Sequence, residues 1–238
     1  MRAPRPVEIL GMRARYPLAF AAVAVGIVAC IPHPDGDFED FADRANAFSS
    51  NEGGGSFEAA APPTEGVTGL YYGACLCQLA FYQVEQVFNF YTETTFTPDP
   101  AGGGNLSLTL QPLKLASDGK HPPANVSKEG LVGEKKDVPA TTPNVAAADG
   151  RYTIELGTTT VPGEANPITG RPVVIDAAKL TGFFGKDRFC ARLNGNVTQP
   201  IQLTLEPEKN ICQFVPIKDG EPTPTFTVDD FQPGSCPF

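Results

Sequence analysis

Phe88-Asn-Phe-Tyr-Thr-Glu-Thr-Thr-Phe96 and, a few residues on, Asn105-Leu-Ser-Leu-Thr-Leu-Gln111 decide the fold class. The first stretch is dense in aromatic and β-branched residues, which suit a pleated, half-buried surface better than a helix. In the second, Leu106, Leu108 and Leu110 alternate with Ser107, Thr109 and Gln111. Alternation with period two marks a strand with one buried face. Ala101-Gly-Gly-Gly104 supplies a turn between them. Residues 87–115 therefore read as a β-hairpin.

Working outward, residues 67–80 are rich in aromatic and small residues and read as a preceding strand. Residues 117–150 carry two proline clusters and few large apolar side chains. A long, partly mobile loop is expected there, with a strand near 131–138. After Gly150 the alternation returns. Tyr152, Ile154 and Leu156 share a face, as do Val173, Ile175 and Ala177, and further β-favouring runs follow at 180–184, 189–197, 201–205, 211–217 and 223–228. Short strands separated by Gly and Pro every 8–12 residues or so signal an all-β barrel or sandwich. The expectation is an antiparallel meander of about eight or nine strands, because neighbours in sequence usually pair. An up-and-down, lipocalin-like barrel comes first and a two-sheet β-sandwich second.

The chain has 238 residues, with 24 Gly, 24 Pro, no Trp and a formal charge of −9. Arg2, Arg5, Glu8, Arg13 and Arg15 carry a net +3, so the chain beyond them stands near −12. That balance argues against wrapping nucleic acid or lying on an anionic lipid surface.

Those arginines precede an apolar run, residues 18–29, which ends in Ile27-Val28-Ala29-Cys30. The run is shorter than the roughly 20 residues a membrane-spanning helix needs. A basic start, a short apolar segment and small residues before a cleavage point make a secretory signal, and Met1 or Met12 can each serve as its start. The four residues at its end resemble the lipobox of bacterial lipoprotein signal peptides, position by position. The resemblance implies cleavage after residue 29, a diacylglycerol thioether on Cys30, and attachment to the membrane through that lipid. Ile31, rather than Asp, after the cysteine implies onward sorting to the outer membrane. Beyond Cys30, residues 37–48 place Phe38, Phe41, Ala45 and Phe48 on one helical stripe, with Asp37 as N-cap. A Gly/Pro-rich linker runs to residue 66, and the β-domain occupies 67–238.

Five further cysteines lie at 75, 77, 190, 212 and 236. Export places them where disulfides persist, and an odd number leaves at least one outside an intramolecular bridge. A Cys190–Cys212 bridge is expected, since both belong to neighbouring strand segments, with Cys236 stapling the C-terminus to Cys75 or Cys77. In the competing arrangement Cys236 takes Cys190 or Cys212 instead.

Little in the sequence points to catalysis, and none is expected. Gly-x-Ser-x-Gly is absent, Gly102-Gly-Gly104 lacks the Lys-Ser/Thr of a P-loop, and the two histidines, His33 and His121, fall in the tether and the long loop. Cys75-Leu-Cys77 has no second pair to complete a zinc site. Asp35, Asp37, Glu39 and Asp43 match part of an EF-hand spacing, but Asp40 and Asn46 stand where it needs Gly and a bidentate Glu. No cofactor or metal is expected. The reading is a non-catalytic envelope lipoprotein whose β-domain is a binding or scaffold module, with a protein partner or an apolar ligand. A carrier of an apolar ligand inside the barrel, and an envelope hydrolase with a carboxylate site, are the alternatives.

Overall fold

The 88–96 and 105–111 stretches do form a hairpin. Strands β2 (Phe88–Pro98) and β3 (Gly104–Pro112) pair antiparallel, with Phe96 opposite Leu106, Thr94 opposite Leu108 and Thr92 opposite Leu110. At the turn, Asp99 accepts from the Gly102 amide at 2.9 Å, and Gly102 and Gly103 both take positive φ. The computed structural model describes residues 61–77, 86–140, 143–184 and 188–236. The 37–48 helix, Cys30 and the signal segment lie outside the described residues.

Seven more strands complete an all-β fold: β1 (Val67–Leu76), β4 (Lys136–Val138), β5 (Arg151–Val161), β6 (Val173–Phe184), β7 (Phe189–Gln199), β8 (Leu203–Leu205) and β9 (Ile211–Pro216). All pairings are antiparallel, in the order β4-β3-β2-β1-β9-β7-β6-β5, with β8 beside β7. β8 and β9 behave as one interrupted strand along β7, broken by a 3-10 turn at Pro207–Lys209. From β1 to β4 and from β5 to β8 each strand pairs with its sequence neighbours, and β9 joins the two runs by pairing with β7 and β1. The result is an up-and-down meander rolled into a nearly closed barrel, the first of the two expected architectures.

Closure depends on a single extended segment. Val145 bridges Gly104 of β3 on one side and Tyr152 of β5 on the other. Its neighbour Asn144 uses its carboxamide as strand backbone: the oxygen accepts from the Leu106 amide at 2.7 Å and the nitrogen donates to the Leu106 carbonyl at 2.8 Å. Gly103 is required beside it, because a Cβ there would sit 2.2 Å from the Val145 carbonyl. Farther along the seam, β4 and β5 are linked by Lys136 Nζ donating to the Thr158 carbonyl at 3.0 Å.

Residues 113–131 pack against the barrel wall instead of standing away from it. They lie with the C-terminal tail over the outside of β1, β2 and β9, where Tyr72, Leu113, Val126, Ile211 and Phe231 form a second apolar core. Val126 donates to Glu221 and accepts from Gly220, at 2.9 and 2.7 Å, so the two segments supply each other's backbone partners. The expected strand near 131–138 is present as β4, shortened to three residues. Two other expectations are corrected. Residues 223–228 form no strand, because Pro222 and Pro224 cannot donate to a ladder. The runs at 173–177 and 180–184 are one strand, bent at Ala177, whose φ is +49°.

The disulfides are Cys75–Cys212 and Cys190–Cys236. The expected Cys190–Cys212 bridge does not form, although both residues lie on adjacent strands. Register decides it: Cys190 stands opposite Gln213, and Cys212 opposite Ala191. A one-residue offset sends the two side chains to opposite faces. Cys212 points into the barrel, directly across from Cys75 on β1, with Cα atoms 4.0 Å apart. Cys190 points outward and takes Cys236 from the tail, so Cys236 bonds neither Cys75 nor Cys77. Cys77 belongs to neither bridge.

Two predictions test this arrangement. Asn144→Leu leaves both Leu106 backbone groups without partners; at about 1–3 kcal/mol for each buried unsatisfied group, it should lower stability by roughly 2–6 kcal/mol and abolish protection of the Leu106 amide in hydrogen exchange. Unchanged protection would mean that Asn144 does not close the barrel. Non-reducing peptide mapping should recover Cys75 with Cys212 and Cys190 with Cys236. Cys236→Ser should expose the amides of the C-terminal tail to exchange while leaving the β2–β3 hairpin protected.

Candidate functional site

The two ends of the barrel interior are filled differently. At one end Phe96, Tyr152, Phe184, Phe189 and Phe214 meet. Phe189 and Phe214 stack with centroids 4.3 Å apart, and Phe184 and Tyr71 pack on Phe189 at 5.7 and 5.0 Å. Phe96 meets Phe184 at 5.0 Å. The Tyr152 hydroxyl donates to the Cys190 carbonyl at 3.1 Å, and burial pushes its ionisation well above the ordinary tyrosine range. These rings pack that end of the interior.

The opposite end is lined mostly by aliphatic side chains, with Phe88 and Phe90 among them, and there the barrel is hollow. Val161, Val173, Ile175, Leu193, Val197 and Leu205 surround a cavity of about 80 Å³. A smaller lobe of about 40 Å³ continues inward to Leu180, Ala178 and Phe214. The lobes share Cys75, Phe90, Val161, Ile175 and Leu193, so they adjoin. At about 24 cal/mol per Å³ of unfilled cavity, the outer lobe alone forgoes about 2 kcal/mol of packing. Ile201 stands at its rim, 47 % exposed although large and apolar.

Most polar groups around the hollow are occupied elsewhere; the exception is Thr159 Oγ1 on the inner lobe, buried without a hydrogen-bond partner. Asn166, buried in the wall, donates to Thr169 Oγ1 at 2.8 Å and to the Arg171 carbonyl at 2.7 Å, and accepts from the Ile168 amide at 3.0 Å. Its role is to hold the loop at residues 163–171 against the mouth. Lys136 lies on the inward face of β4, opposite Leu110, and contributes its stem to the inner lobe while its ammonium reaches the seam. No carboxylate lines either lobe.

Outside the barrel lies an open polar groove of about 860 Å³ over β2, β3 and β4, floored by Thr95, Thr97, Ser107 and Thr109. Thr109 donates to Asp137 at 2.7 Å, which with Lys135 holds that carboxyl below its usual range. His121 sits against Asp118 in an exposed turn; that contact and the amides of Lys120 and His121 lower the Asp118 pKa. Among the described residues no three His, Cys, Asp or Glu side chains gather as a metal site.

Of the residues singled out in the sequence, Cys75 and Cys77 line the hollow, Cys190 and Cys236 fasten the tail, and Cys30 lies outside the described residues. The mouth itself was not anticipated. Its one signal was the distribution of sizes along the strands: Val and Ile at 161, 173 and 175, and Phe at 184, 189 and 214. The chain matches no protein-family model, no curated protein and no solved structure.

Proposed function

We propose that this chain is a lipid-anchored protein of the bacterial envelope whose barrel works by binding, not by catalysis. The observation that carries the binding half is the apolar mouth: an acidic domain with polar outer grooves leaves Ile201 exposed above an aliphatic hollow. Concave, mostly apolar sites with few polar groups are the usual form of a small-ligand or side-chain receptor. The hydrolase alternative draws no support from this end, since no carboxylate lines it. The carrier alternative is narrowed by size, because a drug-sized ligand takes about 300 Å³ or more and the hollow offers about 80 and 40 Å³ in its two lobes.

The anchoring half rests on the Ile27-Val28-Ala29-Cys30 sequence and its basic leader. Two or three acyl chains, at about 0.8 kcal/mol per buried CH₂, hold a protein at a membrane without help from surface charge. Ile31 after the cysteine favours the outer membrane. The test is metabolic labelling with a radioactive fatty acid in a bacterial host. The chain should take up label and sediment with membranes, and Cys30→Ala should abolish the label. Label retained in the variant would contradict the assignment.

A further inference from the structure

We propose that the hollow end of the barrel binds the end of one unbranched hydrocarbon chain, about four to six carbons deep, with any headgroup left outside at the rim. The proposal deepens the binding reading above and is independent of the anchor at Cys30.

Three observations on the cavity select this ligand. Size comes first. An engineered apolar cavity of about 150 Å³ holds one benzene, and the two lobes, about 80 and 40 Å³, together approach that capacity. Shape comes second: the space is divided into two adjoining lobes that share Val161, Ile175 and Leu193, each smaller than the cavity that holds a benzene, so it suits a thin chain better than a ring. Chemistry comes third. The Asn166 amide is committed to Thr169, Arg171 and Ile168, and the Lys136 ammonium to Thr158 at the seam. One hydroxyl, Thr159 Oγ1 on the wall of the inner lobe, is buried without a partner; no charged group is left to pair inside, so an unpaired carboxylate or ammonium would be expelled. At the rim, a chain passing Ile201 covers apolar surface that is otherwise in water.

The recognition is therefore of chain length and not of headgroup. Each methylene added up to the depth of the lobes should tighten binding about fourfold, the equivalent of roughly 0.8 kcal/mol per buried CH₂. At fixed length, alcohol, carboxylate and ammonium should differ by less than that.

The experiment uses the full chain carrying Cys30→Ala, oxidised and free of detergent, with methyl-labelled Ile, Leu and Val. Butanol, hexanol, hexanoate, hexylammonium and cyclohexanol are titrated while the methyl resonances of Ile175, Leu193 and Val197 are followed. The proposal predicts saturable shifts at these methyls, tightening from butanol to hexanol, near-equal values for the three hexyl compounds, and weaker binding of cyclohexanol. Ile175→Phe should fill the junction of the lobes and remove binding; Val161→Phe serves the same purpose should that variant not fold. Leu193→Ala should lengthen the preferred chain. Cyclohexanol binding as tightly as hexanol, or a strong preference among headgroups, would overturn the chain assignment while leaving a binding mouth. Absence of saturable shifts with every probe would overturn both this proposal and the binding reading.

Discussion

Everything in this fold depends on the register with which β9 enters between β1 and β7. The chain builds two meanders, β1 to β4 and β5 to β8, and β9 joins them. Cys75 opposite Cys212, Gly73 opposite Phe214 and Phe189 opposite Phe214 fix that register from both sides. Gly73 is glycine because a Cβ there would meet the Phe214 ring at 2.8 Å. With Phe214 seated over Gly73 and stacked on Phe189, the aromatic cluster gathers at one end, and the other end is left mostly to aliphatic residues beside Phe88 and Phe90. The same register sends Gln213 and Cys190 outward, where the tail docks: Gln213 Nε2 donates to the Asp230 carbonyl at 2.7 Å and Arg192 to the Pro233 carbonyl at 3.1 Å. One parity choice therefore sets the barrel, both disulfides, the outer core and the position of the hollow.

That parity was the part of the fold the sequence concealed. β3, β5 and the second half of β2 were legible because each has one face less buried than the other; β2 alternates from Thr92 to Thr97 and β5 from Arg151 to Leu156. Tyr71 to Leu76 of β1 and Ile211 to Phe214 of β9 are buried on both faces. A strand covered on both sides reads as a continuous apolar run and carries no period, so nothing told Cys212's face from Cys190's. Both bridges follow once the second core is known, and that core comes from loop and tail residues such as Val126 and Phe231, which show no periodicity of their own. The closing role of Asn144 was equally hidden, since a side chain standing in for strand backbone leaves no pattern.

The hollow was illegible for a different reason. Aliphatic residues at alternate positions signal an inward face but not whether that face is filled. Filling depends on which sizes meet at one level of the barrel, and that is a property of register across several strands. Val161, Val173 and Ile175 come together near Val197 at one end, whereas Phe184, Phe189 and Phe214 meet at the other. Function inherits this dependence: slide β9 by one residue and Phe214 leaves the interior, so the boundary between packed and hollow disappears.

The most direct test of this account is a set of cross-strand nuclear Overhauser contacts around Phe214 in the oxidised protein. The Phe214 ring protons should contact the Gly73 α-protons and the Phe189 ring, and the α-proton of Cys75 should contact that of Cys212. Contacts from Gln213 to the Phe189 ring, with Phe214 instead near Phe231 or Cys236, would place β9 one residue out of register and contradict the barrel described above.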